Sequence, residues 1–185
     1  AYNQYDSIVC PMAKWLAAHD VNIMLNATVT DIEFETDVAG RNIVKTIVYS
    51  DKTRSHRVLV RPTDVVLVTN GSMTDNSSEA AMDSVAKYNR ANNAPSFELW
   101  RRMARGRPEL GDPDVFCGRP DESMWMSFTT TINNNPDVLG YIQRFTTNHP
   151  GGGALVTFCE SAWRLSIVVA RQPHFKNQPD DTNIF

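Results

Sequence analysis

One apolar run constrains the fold more than any other segment: Val65-Val66-Leu67-Val68, which the turn residues Thr69-Asn70-Gly71-Ser72 follow directly. β-Branched side chains favour extended backbone, and a run without polar alternation is typical of a strand that is covered on both faces. Gly71 has no Cβ, so the turn after such a strand lets another backbone or a ligand approach closely. We therefore expect a buried strand at residues 65–68 that ends in a tight turn.

The residues before this run predict a helix and a meander of short strands. Apolar residues recur at helical spacing from Ser7 to about His19, and Pro11 falls in the first turn, where a missing N–H is tolerated. Alternating apolar and polar residues then predict short strands separated by turn residues. These strands are expected at 21–25, 29–34, 43–49 and 58–60. The order helix, meander, buried strand organises residues 1–75 as one part of the fold.

Residues 76–185 have a different pattern, with short elements between long polar stretches. Ser96 is expected to cap a helix that contains Phe97 and Trp100, because serine hydroxyls accept hydrogen bonds from N–H groups of a first turn. The Gly- and Pro-rich residues 106–121 predict a long loop. Further helices are expected at 78–88 and 136–145, and strands at 127–132, 154–158 and 165–170. Both parts together predict an α+β fold.

Composition excludes several classes of protein. Hydrophobic residues make up 42% of the 185 residues and charged residues 21%, which is typical of a folded chain rather than a disordered one. The net charge of −3 gives no general attraction to nucleic acid, so we expect no nucleic-acid partner. The apolar runs are too short to cross a bilayer as a helix.

The cysteines and the chain ends carry further expectations. Cys10, Cys117 and Cys159 lack the paired or clustered spacing of a disulfide framework or a metal site. They predict free, buried thiols in a reducing compartment, and therefore a cytoplasmic protein without a bound metal. The first residues contain neither an initiator Met nor a signal peptide, and the last three, Asn183-Ile184-Phe185, include an apolar pair. We expect an internal piece of a larger protein.

The order helix, meander and buried strand resembles the second cofactor-contacting segment of two-dinucleotide-fold flavoproteins. In that arrangement a strand residue offers backbone groups to the adenine, and the Gly turn approaches the pyrophosphate and ribose. The candidate FAD contacts are Val29, Thr69, Asn70, Gly71, Ser72 and Met73. The sequence has no G-x-G-x-x-G phosphate loop, and a generic meander packed on a helix explains the pattern equally well.

Six motifs occur in order along nearly the whole chain. They are Tyr2-Asn-Gln-Tyr-Asp-Ser7, Pro11-Met-Ala-Lys-Trp-Leu16, Val29-Thr-Asp-Ile32, Val68-Thr-Asn-Gly-Ser-Met73, Ser96-Phe-Glu-Leu-Trp100 and Arg171-Gln-Pro-His-Phe175. Together they closely resemble the oleate hydratase family, whose members are also called myosin-cross-reactive antigens. No single motif is specific enough to identify a family, but six in register are.

This resemblance implies a FAD-binding protein well over twice as long as this chain. Such proteins hydrate a cis double bond of a free fatty acid, for example oleate to 10-hydroxystearate, and their flavin has a structural or electrostatic role. The resemblance places residues 1–75 in the FAD-binding domain and residues 76–185 in a mixed α/β substrate-binding domain. The family's phosphate loop and its catalytic acid and tyrosine lie N-terminal to this segment. We therefore expect no catalytic residue here and no activity of the isolated chain.

Two residues match substrate-binding positions of the family. Gln4 matches a glutamine near the reacting carbons, where an amide orients water or the hydroxyl product; a surface glutamine is an equal alternative. His174 matches a histidine that binds the fatty-acid carboxylate; the alternative is a loop histidine bonded to a backbone carbonyl. Some relatives have Thr and Asn where this chain has Val168 and Ala170, which leaves its carboxylate capture and chain-length preference open. Arg171 is either a second anion partner or a solvated residue at a strand end.

The resemblance also implies the partners. The substrate is an unsaturated free fatty acid, the parent protein is a homodimer, and contact with a membrane surface is made through parts outside this segment. Two other functions remain open at this point: a flavin-dependent oxidoreductase that reuses the same cofactor scaffold, and a non-catalytic lipid-binding or antigenic module. The reaction product separates the first of these from a hydratase, because hydration gives a hydroxy acid without consuming an oxidant.

Overall fold

The predicted meander folds as a three-stranded antiparallel sheet in the computed structural model, which describes residues 2–153 and 155–185. Its strands are β1 (Thr28–Thr36), β2 (Asn42–Ser50) and β3 (Ser55–Leu59), in the order β1-β2-β3. The strands expected at 29–34 and 43–49 are therefore confirmed. The strand expected at 58–60 is present but begins earlier, because its polar first half pairs with β2 from Ser55 onward.

Aspartate side chains close the two hairpin turns of this sheet. Asp51 Oδ1 accepts hydrogen bonds from the hydroxyl and the N–H of Thr53, at 2.6 and 2.7 Å, and from the N–H of Arg54, at 3.0 Å. Asp37 accepts hydrogen bonds from two N–H groups of the first turn in the same way. Short acidic side chains stabilise turns because they satisfy N–H groups that no strand partner reaches. The hydrogen bonds that Asp51 accepts, first of all that from the Thr53 hydroxyl, hold the pKa of Asp51 well below its usual range.

The chain divides into two compact units. We call Met24–Trp125 the meander unit, and the residues up to Ile23 together with Met126–Phe185 the terminal unit. The α-helices in the described residues are α1 (Cys10–Ala18), which follows a π-helical turn at Tyr5–Val9, α2 (Pro95–Ala104), α3 (Asp114–Cys117) and α4 (Pro136–Thr146). In the terminal unit, β4 (Thr131–Asn133) pairs with β7 (Thr182–Ile184), and β5 (Leu155–Thr157) with β6 (Ser166–Val168), all antiparallel.

This mixture of helices and antiparallel strands agrees with the α+β class, and the helices expected at the start of the chain and at 136–145 are confirmed. The strands expected at 154–158 and 165–170 are present as the shorter β5 and β6, whereas β4 shares only residues 131–132 with the strand expected at 127–132. Ala154, at the start of one of these predictions, lies outside the described residues. The dinucleotide-fold interpretation and the division after residue 75 stay predictions, because they concern which site each part serves.

The core of the meander unit forms around α2. Ala94, Phe97 and Cys117 are buried together, and Trp100 packs against them. The indole N–H of Trp100 donates a hydrogen bond to the carbonyl of Leu110 at 2.7 Å, which satisfies the one polar group of that side chain. The predicted loop at 106–121 is therefore not structureless: a short 3₁₀ turn at Pro108–Leu110 and α3 fold back onto α2.

The predicted buried strand at 65–68 is wrong. Val65 and Leu67 are 84% and 91% exposed, and no segment among the described residues pairs with this run. A strand is stable only where neighbours accept its backbone hydrogen bonds and cover its apolar side chains. The edges of the sheet are β1 and β3, and neither takes up residues 65–68.

Two further predictions fail for related reasons. Residues 21–25 alternate in polarity but form no strand, because no described residues pair with them. Residues 78–88 form no helix; Met82 and Val85 are 105% and 91% exposed, and the segment holds only an isolated bridge between Ala81 and Ser84. Both segments have the residue pattern of a regular element, but neither has a packing partner among the described residues to stabilise a short strand or helix.

The cysteines differ in burial. Cys117 is buried, as predicted, whereas Cys10 is half-buried and Cys159 is exposed. In the part of the chain that the structure describes, no three His, Cys, Asp or Glu side chains are grouped so as to hold a metal ion. None of the helices in the described residues combines the length and apolar character needed to span a bilayer.

The turn at Asp51 predicts a pH-dependent stability of the β2–β3 hairpin. The pKa of Asp51 is lower in the folded chain than in the unfolded one, so its contribution is present above the unfolded value and is lost as the pH falls. Asp51→Ala should therefore weaken amide hydrogen-exchange protection in this hairpin at neutral pH. The difference in hydrogen-exchange protection between this variant and the unsubstituted protein should shrink as the pH falls below about 4. A difference in protection that is the same at every pH would contradict the role of ionised Asp51 in this turn.

Candidate functional site

The turn predicted to approach the cofactor lies against the start of α2. Gly71 has a φ of +68°, in the left-handed region that glycine adopts most readily. A Cβ at Gly71 would lie only 2.8 Å from Cε1 of Phe97. Phe97 is buried, with 5% of its surface exposed, so its ring has little room to move aside. The backbone angle and the close approach both require glycine at this position.

Hydrogen bonds join this turn to the first turn of α2. The N–H of Ser72 donates to Ser96 Oγ at 3.2 Å, and the N–H of Ser96 donates to Asp75 Oδ2 at 2.9 Å. Asp75 therefore caps the helix, and its negative charge is favourable at a helix N-terminus. The prediction that Ser96 caps α2 is wrong, because Ser96 already lies inside the first turn, which begins at Pro95.

Asn70 is the residue of this turn with unmet hydrogen-bonding capacity. Its side-chain oxygen is buried and has no hydrogen-bond partner among the described residues. An unpaired buried acceptor costs about 1–3 kcal/mol, which a hydroxyl donor from a ligand would offset. Thr69, Ser72 and Met73 are exposed. The turn thus combines exposed side chains with one buried, unpaired acceptor.

Val29, the predicted adenine contact, lies near the start of β1, directly before a shift in the pairing register with β2. The carbonyl of the next residue, Thr30, accepts a hydrogen bond from Arg102 Nη1 of α2 at 2.6 Å. Ser96 and Arg102 are six residues apart in α2, or roughly 9 Å along its axis. One helix therefore contacts the turn at its first residues and the β1 strand at its last.

The terminal unit brings the two predicted substrate-binding segments into contact. The N–H of Asn3 donates to the carbonyl of His174 at 2.8 Å, and Asn3 Nδ2 donates to the same oxygen at 3.2 Å. Gln4 follows Asn3 directly, so a residue near the start of the chain is held beside a loop near its end. Gln4 is exposed and His174 is half-buried.

Asp6 strengthens this junction. Its Oδ2 accepts hydrogen bonds from Asn3 Nδ2 at 2.8 Å and from the N–H of Lys176 at 3.3 Å, while its own N–H donates to Asn3 Oδ1 at 2.9 Å. The start of the π-helical turn at Tyr5–Val9 is therefore tied to the two peptide groups that flank Phe175. We call this set of bonds the Asn3 junction.

The imidazole of His174 is available to a ligand. Its edge contacts Phe175, with 4.9 Å between ring centroids and an interplanar angle of 71°. Within the described residues the hydrogen bonds of His174 come from its main chain, whose carbonyl accepts from Asn3 and whose N–H donates to Gln178 at 2.7 Å. Both ring nitrogens are thus left for a partner such as a carboxylate.

The positions around His174 differ in what they offer. Val168 is 44% exposed in β6, and the carbonyl of Ala170 accepts a hydrogen bond from Gln172 Nε2 at 2.9 Å. Arg171 is exposed, and a Cβ at Gly151 would lie 2.9 Å from its Cβ. The Gly-rich turn therefore packs closely on the base of Arg171. Sequence patterns did not indicate Asp75 or Gln178, and they gave Gln172 only as a member of the Arg171–Phe175 motif, because periodicity does not mark a side chain that bonds backbone groups.

The whole chain, residues 1–185, matches the model of the MCRA family. It is 38% identical over 186 residues to "Oleate hydratase" of Streptococcus pyogenes serotype M49 (strain NZ131), which covers 97% of this chain and 31% of that protein. It is 32% identical over 194 residues to "Linoleate hydratase" of Lactiplantibacillus plantarum, which covers 98% of this chain and 34% of that protein. The chain spans about a third of the length of these curated relatives. These matches confirm the family resemblance of the six motifs.

Gly71→Ala should destabilise the meander unit more than Gly40→Ala. Both glycines have positive φ, +68° and +78°, so each substitution carries the left-handed cost of about 1–2 kcal/mol. Only alanine at position 71 also overlaps Phe97, since nothing lies within 4 Å of a Cβ at Gly40. Thermal unfolding of the two variants measures the difference. Equal decreases in Tm would contradict the contact between the turn and Phe97.

Proposed function

The chain belongs to the MCRA family, and on this basis we propose that it forms part of a FAD-dependent fatty acid hydratase. The reaction adds water to a cis double bond of a free unsaturated fatty acid and gives a hydroxy fatty acid. Two relatives support the substrate class, because their names are those of hydratases of oleate and linoleate, both unsaturated fatty acids. The structural observation that carries the proposal is the Asn3 junction, which joins Gln4 to the loop of His174.

His174 anchors the substrate by its carboxylate. A protonated imidazole donates a charge-assisted hydrogen bond, which is stronger than a bond between neutral groups. Phe175 lies against the His174 ring and is 45% exposed, so it offers apolar surface to the first carbons of the acyl chain. A polar anchor beside an apolar wall is the arrangement that an amphipathic ligand requires.

Gln4 orients water or the hydroxyl product. Its amide can donate and accept hydrogen bonds at once, and its side chain is exposed. The bonds of Asn3 and Asp6 fix the backbone on both sides of Gln4 relative to the His174 loop. The anchor and the orienting amide therefore lie on two segments that hydrogen bonds hold together, so the position of the carboxylate determines which part of the acyl chain reaches Gln4.

The turn at 69–73 and the start of β1 hold the cofactor. When bound, FAD supplies a structural or electrostatic contribution to the reaction without net redox chemistry. Gly71 lets the cofactor approach the main chain, Asn70 offers its unpaired oxygen to a hydroxyl group, and Thr69, Ser72 and Met73 flank the contact. Val29 offers backbone groups to the adenine. The buried, unpaired side-chain oxygen of Asn70 fits a hydroxyl donor of such a group.

The acid–base chemistry comes from residues outside this chain. Hydration needs an acid that protonates one alkene carbon and a base that activates water at the other. We assign the residues described above to binding and orientation, and none of them to either proton transfer. The 185 residues therefore supply the carboxylate anchor and part of the flavin site, and they do not catalyse alone.

Product analysis tests the reaction. The complete protein should convert oleate to a hydroxy acid that takes its new oxygen from water, measured by mass spectrometry in heavy-oxygen water. Oxygen consumption should be zero, because adding water changes no net oxidation state. An oxidised product would contradict the hydratase and support an oxidoreductase. Turnover by the 185-residue chain alone would contradict an acid–base pair located elsewhere.

The carboxylate anchor is tested by His174→Ala in the complete protein. A hydrogen bond to a charged group contributes about 1.5–3 kcal/mol, so the dissociation constant for oleate should rise roughly tenfold to a hundredfold. His149→Ala is the matched control, because His149 is an exposed histidine of the same unit. Titration calorimetry measures both constants. Unchanged affinity in His174→Ala would remove this residue from the site.

A further inference from the structure

Two glutamine side chains hold the main chain of the His174 loop. Gln178 Oε1 accepts hydrogen bonds from the N–H groups of His174 and Phe175, at 2.7 and 3.2 Å. Gln178 Nε2 donates to Gln172 Oε1 and to the carbonyl of Thr182, each at 2.7 Å. An amide has two N–H donors and two acceptor lone pairs, so every hydrogen-bonding position of Gln178 is used.

Gln172 connects this arrangement to the sheet of the terminal unit. Its Nε2 donates to the carbonyls of Ala170 and Ile184, at 2.9 and 2.7 Å, and its Oε1 accepts from the N–H of Ile184 at 3.2 Å. Ile184 is buried in β7, which pairs with β4. We call Gln172 and Gln178 the glutamine clamp. It fixes the loop to a two-stranded sheet with both amides fully bonded.

We propose that Gln178, supported by Gln172, is a positioning residue for carboxylate recognition by His174. This inference rests on the proposed function, in which His174 binds the carboxylate of the fatty acid. Gln178 holds the N–H of His174 and Asn3 holds its carbonyl, so the peptide groups on both sides of its Cα are fixed while the ring stays unbonded. A loop ordered before binding loses less conformational entropy when the ligand arrives.

The chemistry of the clamp requires amides at both positions. A carboxylate at 178 would keep the acceptor for His174 N–H but would place a second acceptor against Gln172 Oε1 and the Thr182 carbonyl. Turning the Gln172 amide over would not relieve this, because its oxygen would then face the carbonyls of Ala170 and Ile184. A buried or half-buried group that is left unpaired in this way destabilises the loop more than an unpaired group on the solvated surface would.

The test compares a free fatty acid with its methyl ester, because only the free acid presents a carboxylate to His174. In the complete protein, Gln178→Ala should weaken oleate binding roughly fivefold to tenfold, less than His174→Ala, and methyl oleate binding by less than about twofold. The measured quantity is the ratio of the two dissociation constants. Asn177→Ala is the matched control: Asn177 is an exposed amide of the same loop, and its removal should leave the ratio unchanged.

Two further variants separate positioning from folding. Gln178→Glu preserves the shape of the side chain and should also lower the preference for acid over ester, so the test survives if Gln178→Ala does not fold. Adding Gln178→Ala to His174→Ala should lower the preference no further, because positioning acts through the His174 ring. A purely structural role would instead weaken acid and ester binding equally, and that result would overturn the proposal.

The outcomes also distinguish this inference from the proposed function. If His174→Ala abolishes the preference for the acid while both Gln178 variants retain it, the glutamine clamp is not a positioning device and the hydratase proposal stands. If His174→Ala leaves the preference unchanged, the carboxylate role of His174 fails, and the inference about Gln178 fails with it.

Discussion

Hydrogen bonds from side chains to the main chain hold the loops on which both candidate sites depend. The four strands β4 to β7 contain only three residues each, so strand pairing satisfies few of the N–H and C=O groups around His174. Asn3 and Gln178 satisfy those of His174 itself, and Asp75 satisfies an N–H at the start of α2. A buried or half-buried backbone group without such a partner destabilises a loop.

The two candidate sites use this constraint in different ways. In the meander unit, α2 is the fixed element, and the turn that contains Gly71 is packed against Phe97 and bonded to Ser96. In the terminal unit the fixed element is a network, because the Asn3 junction and the glutamine clamp hold the His174 loop from two sides. The first arrangement leaves a buried, unpaired acceptor at Asn70 beside the proposed cofactor site; the second leaves the His174 imidazole ring unbonded at the proposed carboxylate site.

Local pattern predicted well the elements whose partners are close in sequence. The β1–β2–β3 meander and α4 appear where periodicity places them, since each is stabilised by neighbouring residues. The same method failed at residues 65–68, where an apolar run found no partner strand. It also failed at Ser96, whose hydroxyl accepts a hydrogen bond from Ser72 while the distant Asp75 caps the helix. Sequence gives the type of a side chain, but the fold decides which backbone group it meets.

By itself the sequence determined the family, because six motifs in order are specific even when each alone is weak, and it indicated Gln4, His174 and the turn at 69–73 as candidates. Only the tertiary structure decided which of these lie together. Asn3 joins Gln4 to His174, and Gln172 and Gln178 hold that loop, although no spacing in the sequence predicts either contact. The physical reason is that most of these bonds end on main-chain groups, which every residue carries and no sequence pattern can distinguish.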